Sequence, residues 1–186
     1  MVIKSNRTDS IILKRILMYT LCIGLLLHML SCGSKSQDKE KENFDISLLR
    51  KSSELQLSGE YEALVQLNMK YLQKASQMKY KEGKGLCYLN IAGVNVSAGN
   101  YEKALFFFKK AEKDLENSEN SYHKATFYND YSQYYSHLKL YDKAVTCNNK
   151  AFFYLKKAKD SDLKKKLLPR IYINKGIYFA WKGWKG

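Results

Sequence analysis

Gly99-Asn100-Tyr101-Glu102-Lys103-Ala104-Leu105 is one of three near-copies of a short phrase, and the spacing of the copies decides the fold. The others are Gly59-Glu60-Tyr61-Glu62-Ala63-Leu64 and Leu140-Tyr141-Asp142-Lys143-Ala144-Val145, so that Tyr61, Tyr101 and Tyr141 fall 40 residues apart. A fixed period of roughly 20–50 residues marks a stack of identical supersecondary units. Around each phrase the apolar residues recur at helical intervals. Leu86, Leu89, Ile91 and Ala92 lead into a turn at Gly99-Asn100, and Ala104, Leu105, Phe108 and Ala111 follow it. In the third copy Ala125, Tyr128, Tyr131, Ser132 and Tyr135 precede Leu140, Ala144, Val145 and Ala151. Each unit is therefore expected to be helix, tight turn, helix. Small residues stand where the two helices should cross, and aromatics stand where neighbouring hairpins must fill the space between them.

The rest of the composition agrees with an all-helical body. The chain has 186 residues, 45% of them hydrophobic, with a single proline. That length suits one modest domain with an appendage. The net charge is +14. Removing residues 1–31 leaves 28 basic against 17 acidic residues, or +11. Lys156, Lys157, Lys159, Lys164, Lys165, Lys166 and Arg170 gather toward one end, which points to an anionic surface as a neighbour or else to a solvated basic face. No nucleic-acid docking motif is present, so nucleic acid is not expected as a partner.

The first forty residues read as an address. Lys4, Arg7, Lys14 and Arg15 precede an uncharged apolar run from Ile16 to Leu30, and Ser31, Cys32 and Gly33 close it. Basic, then apolar, then small is the layout of a secretory signal peptide. The run is shorter than the ~20 apolar residues a spanning helix needs. Met29-Leu30-Ser31-Cys32-Gly33 resembles the lipobox of bacterial lipoproteins, with Met29 in the usual leucine position. The resemblance implies that residues 1–31 are removed and that Cys32 is diacylated and becomes the mature N-terminus. It also implies a lipid-anchored protein of the bacterial envelope, at the outer membrane by the sorting rule that reads Gly33. Each buried methylene contributes about 0.8 kcal/mol, so several acyl chains anchor a protein durably. Residues 33–43 carry no apolar side chain, and residues 32–44 are expected to be the lipidated cysteine and a flexible tether.

Residues 45–186 resemble the tetratricopeptide repeat. The second copy supplies Tyr88, Ile91, Ala92, Gly99, Tyr101, Ala104, Phe108 and Ala111 in the family's aromatic, small, glycine and Tyr-x-x-Ala slots, with Asn95 in place of a tyrosine and Glu116 in place of the closing proline. The third supplies Tyr128, Tyr131, Ser132, Tyr135, Tyr141, Ala144 and Ala151, with Lys139 for glycine and Asn148 for an aromatic. The first keeps Gly59 and Tyr61, has Leu64 where alanine belongs, and places Tyr71 further on. The resemblance implies an α-solenoid of about three and a half antiparallel helical hairpins. The residues from Lys175 to Gly183 read as the first helix of a fourth unit, either a capping helix or the start of an array that continued, and Pro169 is expected close to that helix's beginning.

No catalytic pattern is present: there is no nucleophile elbow, phosphate-cradling glycine loop or His-Glu-x-x-His helix. The chain reads as a non-enzyme without cofactor or metal. His123 and His137 read as surface residues, Cys87 and Cys147 as buried small hydrophobes with a disulfide between them left open. The tetratricopeptide resemblance implies a concave groove lined by the first helix of each hairpin. Its groove slots correspond here to Leu89, Asn90, Gly93 and Val96, and to Thr126, Asn129, Asp130, Gln133 and His137. Asp130 would repel a terminal carboxylate, which excludes the carboxylate-clamp mode. The expectation is a membrane-tethered module that binds a protein or peptide in the envelope. The alternative is the sensor half of a membrane signalling or transcriptional regulator. Capture of carbohydrate is the weakest of the three.

Overall fold

A computed structural model describes residues 18–19 and 36–183. The rest of the leader, Cys32 and Trp184-Lys185-Gly186 lie outside the described residues. Contacts divide the chain into two units, residues 1–43 and 44–186. In the first, residues 36–43 are helical where a flexible tether was expected. The Gln, Lys and Glu side chains there favour helix, and neither glycine nor proline interrupts them.

The second unit is entirely helical among the described residues. It holds α1 (44–57), α2 (Tyr61–Gln77), α3 (Lys81–Ser97), α4 (Tyr101–Leu115), α5 (Ser121–His137), α6 (Tyr141–Lys157) and α7 (Asp162–Gly183). Tyr61, Tyr101 and Tyr141 are each the first residue of a helix. Consecutive helices pack as neighbours from α2 onward, and α3 also meets α5, which in turn meets α7.

The period has a local cause. Four helices end in a residue of left-handed backbone conformation: Gly59 (φ 75°), Lys79 (φ 53°), Gly99 (φ 74°) and Lys139 (φ 60°). At each, the next amide reaches back to close the last turn. Asn100 N–H donates to the Asn95 carbonyl at 2.8 Å and Gly99 N–H to Val96 at 3.0 Å. Tyr80 donates to Ala75 at 2.8 Å and Leu140 to Tyr135 at 2.9 Å in the same pattern. This two-bond closure satisfies carbonyls that a helix end leaves orphaned, and it reverses the chain within three residues. A helix of 17 residues plus a three-residue reversal recurs every 20, so a pair of helices takes 40. The longer repeat therefore comes from longer helices and not from longer loops. The fifth start differs: α4 stops at Leu115 after 15 residues, residues 116–120 make a longer connection, and Asn120 caps α5 by accepting the Tyr122 and His123 amides at 3.0 and 3.4 Å.

Alanines make the close crossings. Ala75, Ala92, Ala104, Ala111, Ala125, Ala144 and Ala151 are all fully buried. Gly85 is tighter still, since an added Cβ would lie 2.6 Å from the Leu115 Cγ. Aromatics fill the remaining space: Phe108 packs between Phe127, Tyr131 and Tyr134, with centroids 4.9 Å from Tyr131 and 5.4 Å from Tyr134. Edge-on and offset pairs of this kind add about 0.5–1.5 kcal/mol beyond burial.

α7 departs from its expected start. It begins at Asp162, where the Ser161 hydroxyl accepts the Lys164 amide at 3.2 Å, so Pro169 is the eighth residue of the helix and not near its beginning. Proline there removes one backbone bond, and its exposed position keeps the ring clear of the core.

Candidate interaction surface

The slots expected to line a groove lie on α3 and α5, which pack against each other. Four of them are not open to a ligand. Leu89 (1% exposed) and Val96 belong to the core, Thr126 is buried with its hydroxyl on the Tyr122 carbonyl at 3.0 Å, and Asn129 is fully buried. The reason is packing: Leu89 and Val96 join the core cluster with Leu86, Phe108 and Tyr134, and Asn129 is bonded from α7. Asn129 accepts from Asn174 of α7 at 3.0 Å and donates to Asp130. Asp130 lies 3.7 Å from Arg170 of the same helix. Surface remains at Asn90, Gly93, Asp130, Gln133 and His137, with His137 the most exposed of them. Asn90 is itself committed inward, donating to Ser52 of α1 at 3.0 Å and to Asn68 of α2 at 2.9 Å. Gly93 has no neighbour within 4 Å of where a Cβ would stand, so its patch is open.

Two polar networks escaped the sequence reading. The first centres on Asp45, whose carboxylate accepts the Tyr80 hydroxyl at 2.9 and 3.0 Å and pairs with His123 Nε2 at 2.7 Å. It ties α1, the turn before α3, and α5 across 35 and 78 residues of sequence. His123, read from sequence as a surface residue, is 1% exposed. Burial, and after it the Asp45 charge, push the Tyr80 phenol far above its ordinary range. The second joins α7 to α5: the Ser132 and Tyr178 hydroxyls meet at 3.0 Å, and burial raises the Tyr178 phenol to about 12.

Chemistry is not favoured at either cysteine. Cys87 and Cys147 are free and buried, on α3 and α6. Burial first, then the Asp45 charge, push the Cys87 thiol up to about 12, and burial pushes Cys147 up to about 11. Thiolate is the nucleophile, so both are inert near neutrality. Among the described residues no group of three His, Cys, Asp or Glu side chains is placed to hold a metal. A cavity of about 120 Å³ between α4, α5 and α6 is walled by Glu112, Glu116 and the stacked rings of Tyr128 and Tyr154 (5.6 Å, 4°). It is well below the ~300–1,000 Å³ of a small-molecule site. A larger depression at Met69, Leu72 and Gln73 is lined by α2 alone and lacks a second wall.

Among the described residues the protein is all-α, with open positions on α3 and α5. Compared with known proteins, the chain matches no family model, no curated protein and no solved structure.

Proposed function

We propose that the chain is a lipid-anchored α-solenoid of tetratricopeptide type, which binds a protein or peptide partner in the bacterial envelope and carries no enzymatic activity or cofactor. The observation that carries the reading is the recurrence of one helix reversal at residues 59, 79, 99 and 139, which turns the chain into like hairpins. Contacts from α3 to α5 and from α5 to α7 support a regular stack. Such stacks present extended surfaces, because each unit touches only its neighbours. The accessible polar side chains of Gln133 and His137, with the open patch at Gly93, suit hydrogen bonding to an extended backbone. Attachment rests on the lipobox-like segment ending at Cys32. Among the described residues no helix is long and apolar enough to cross a membrane.

Selection of displayed peptides on the full chain tests the binding role. Peptides are expected to bind wild type and to lose about tenfold or more affinity toward Gln133→Ala/His137→Ala, as each lost net hydrogen bond costs about 0.5–1.5 kcal/mol. Equal binding to the variant would overturn the groove assignment. For the anchor, intact mass spectrometry of membrane-extracted protein should show a chain starting at acylated Cys32, with precursor building up when lipoprotein signal peptidase is inhibited. A chain retaining residues 1–31 without acylation rejects it.

A further inference from the structure

α7 is apolar on two sides. Its inner side buries Leu167, Ile171 and Tyr178 against α5 and α6. At 100° per residue, Ile173 and Ile177 stand on the opposite side, 61% and 44% exposed, flanked by Tyr172 and Phe179. A surface helix ordinarily turns polar residues outward, so a second apolar side is a side that something covers. Earlier on the same outward side come Lys165, Lys166 and Arg170, all exposed. The helix carries six basic residues and one acid, Asp162, which is solvated and 3.7 Å from Lys165.

We propose that this outer side of α7 docks on an anionic phospholipid bilayer. Its basic N-terminal half lies against the headgroups, and Tyr172, Ile173, Ile177 and Phe179 enter the boundary of the acyl layer. Charge selects this occupant. A second copy would bring two helices of the same sign together in a chain already at +14, whereas a phospholipid surface of negative sign attracts each basic residue near it. Shape selects a bilayer over an acidic peptide. Ile173 and Ile177 project from one helix, while the cavities described above lie on α2 and between α4, α5 and α6. An interfacial layer that accepts an apolar face to a depth of about 5–10 Å needs no groove. The inference stands whether or not Cys32 is acylated, because it concerns how the folded unit lies and not how the chain is held.

The test is local for that reason. The full chain with Trp184→Phe keeps Trp181 as its single tryptophan, on α7 close to the proposed contact. It is reconstituted into vesicles of phosphatidylcholine, with or without phosphatidylglycerol, containing lipids brominated on the acyl chains. Trp181 quenching should rise when phosphatidylglycerol is added. Lys165→Gln/Lys166→Gln should lower the docked fraction about twentyfold, taking roughly fivefold per basic residue. Ile173→Ser/Ile177→Ser should abolish the quenching with the helical circular dichroism unchanged. Equal quenching in neutral and anionic vesicles, or no response to either pair of substitutions, overturns the proposal. So does preferential cross-linking of Ile177→Cys copies to one another.

Discussion

Lys79 and Lys139 hold the left-handed backbone that Gly59 and Gly99 hold at the equivalent turns, and a side chain there costs energy that glycine avoids. Lys79→Gly and Lys139→Gly should each stabilise the fold by about 0.5–1 kcal/mol, because relief of the strained φ outweighs the added freedom of the unfolded chain. Thermal denaturation should show a rise of about 1–4 °C per substitution, a scale appropriate to this chain length. A fall in midpoint at both sites would reject the strain account. Gly59 and Gly99 were legible as turns from the sequence. Lys79 was not, because lysine carries no signal for positive φ and only the bond from Tyr80 to Ala75 reveals the role. Asp130 offers a second test at this scale. Burial raises its carboxyl above the ordinary value of 3.8, and the Arg170 charge and the Asn129 amide only partly offset that. A raised folded-state pKa means that the folded chain binds the proton more tightly, so ionisation costs stability above that pKa. The cost disappears as pH falls through the folded value toward 3.8. Asp130→Asn should therefore stabilise near neutrality, and the gain over wild type should shrink in acid. An advantage independent of pH would show that Arg170 or packing, and not proton binding, governs the site.

Among whole helices, the two glycines of α3 answer to different neighbours. Gly85 lies under Leu115, so Gly85→Ala must push α3 and α4 apart, and overpacking of this kind costs about 1–3 kcal/mol. Gly93 meets nothing within 4 Å, so Gly93→Ala should instead gain up to about 1 kcal/mol from helix propensity. Denaturant midpoints of the pair should move in opposite directions, and parallel shifts would reject the crossing geometry. The same substitution at Gly93 places a methyl group on the open patch, so a more stable protein with weaker peptide binding is the expected pairing there. Helices were legible at this scale because Tyr61, Tyr101 and Tyr141 open α2, α4 and α6 and buried alanines recur between the helices. The depth of the groove slots was not. Leu89, Val96, Thr126 and Asn129 are buried by contacts between helices distant in sequence, as the bond from Asn174 to Asn129 shows, and no local pattern announces these. The start of α7 at Asp162 was obscured by Pro169, which reads as a boundary unless the Ser161 cap is recognised.

Over the residues 44–186 unit as a whole, local turns account for the packing of each helix from α2 onward on the next, and the Asp45 network ties distant parts of the unit together. Asp45, Tyr80 and His123 come from three elements whose pairing no periodicity announces, since their roles depend on how α1 registers against α3 and α5. Helices held only by their neighbours in sequence would loosen one pair at a time. Bonds spanning 35 and 78 residues should oppose that by coupling α1 to α5. His123→Ala leaves a buried carboxylate short of its closest hydrogen-bond donor, which should cost about 1–3 kcal/mol. Tyr80→Phe removes one hydroxyl and should cost about 1–2 kcal/mol. Because both donors serve one carboxylate, the double variant should depart from the sum of the singles by 0.5 kcal/mol or more, roughly the floor for contacting residues. Native-state hydrogen exchange locates the effect. In wild type the amides of α1 should share the protection of α3 and α5, and in His123→Ala those of α1 should exchange faster while α6 is unchanged. Additive energies with uniform loss of protection would mean that the network fills space without coupling the elements. Additive energies with α1 unaffected would place its hold on the body in Phe44 and Leu48 alone.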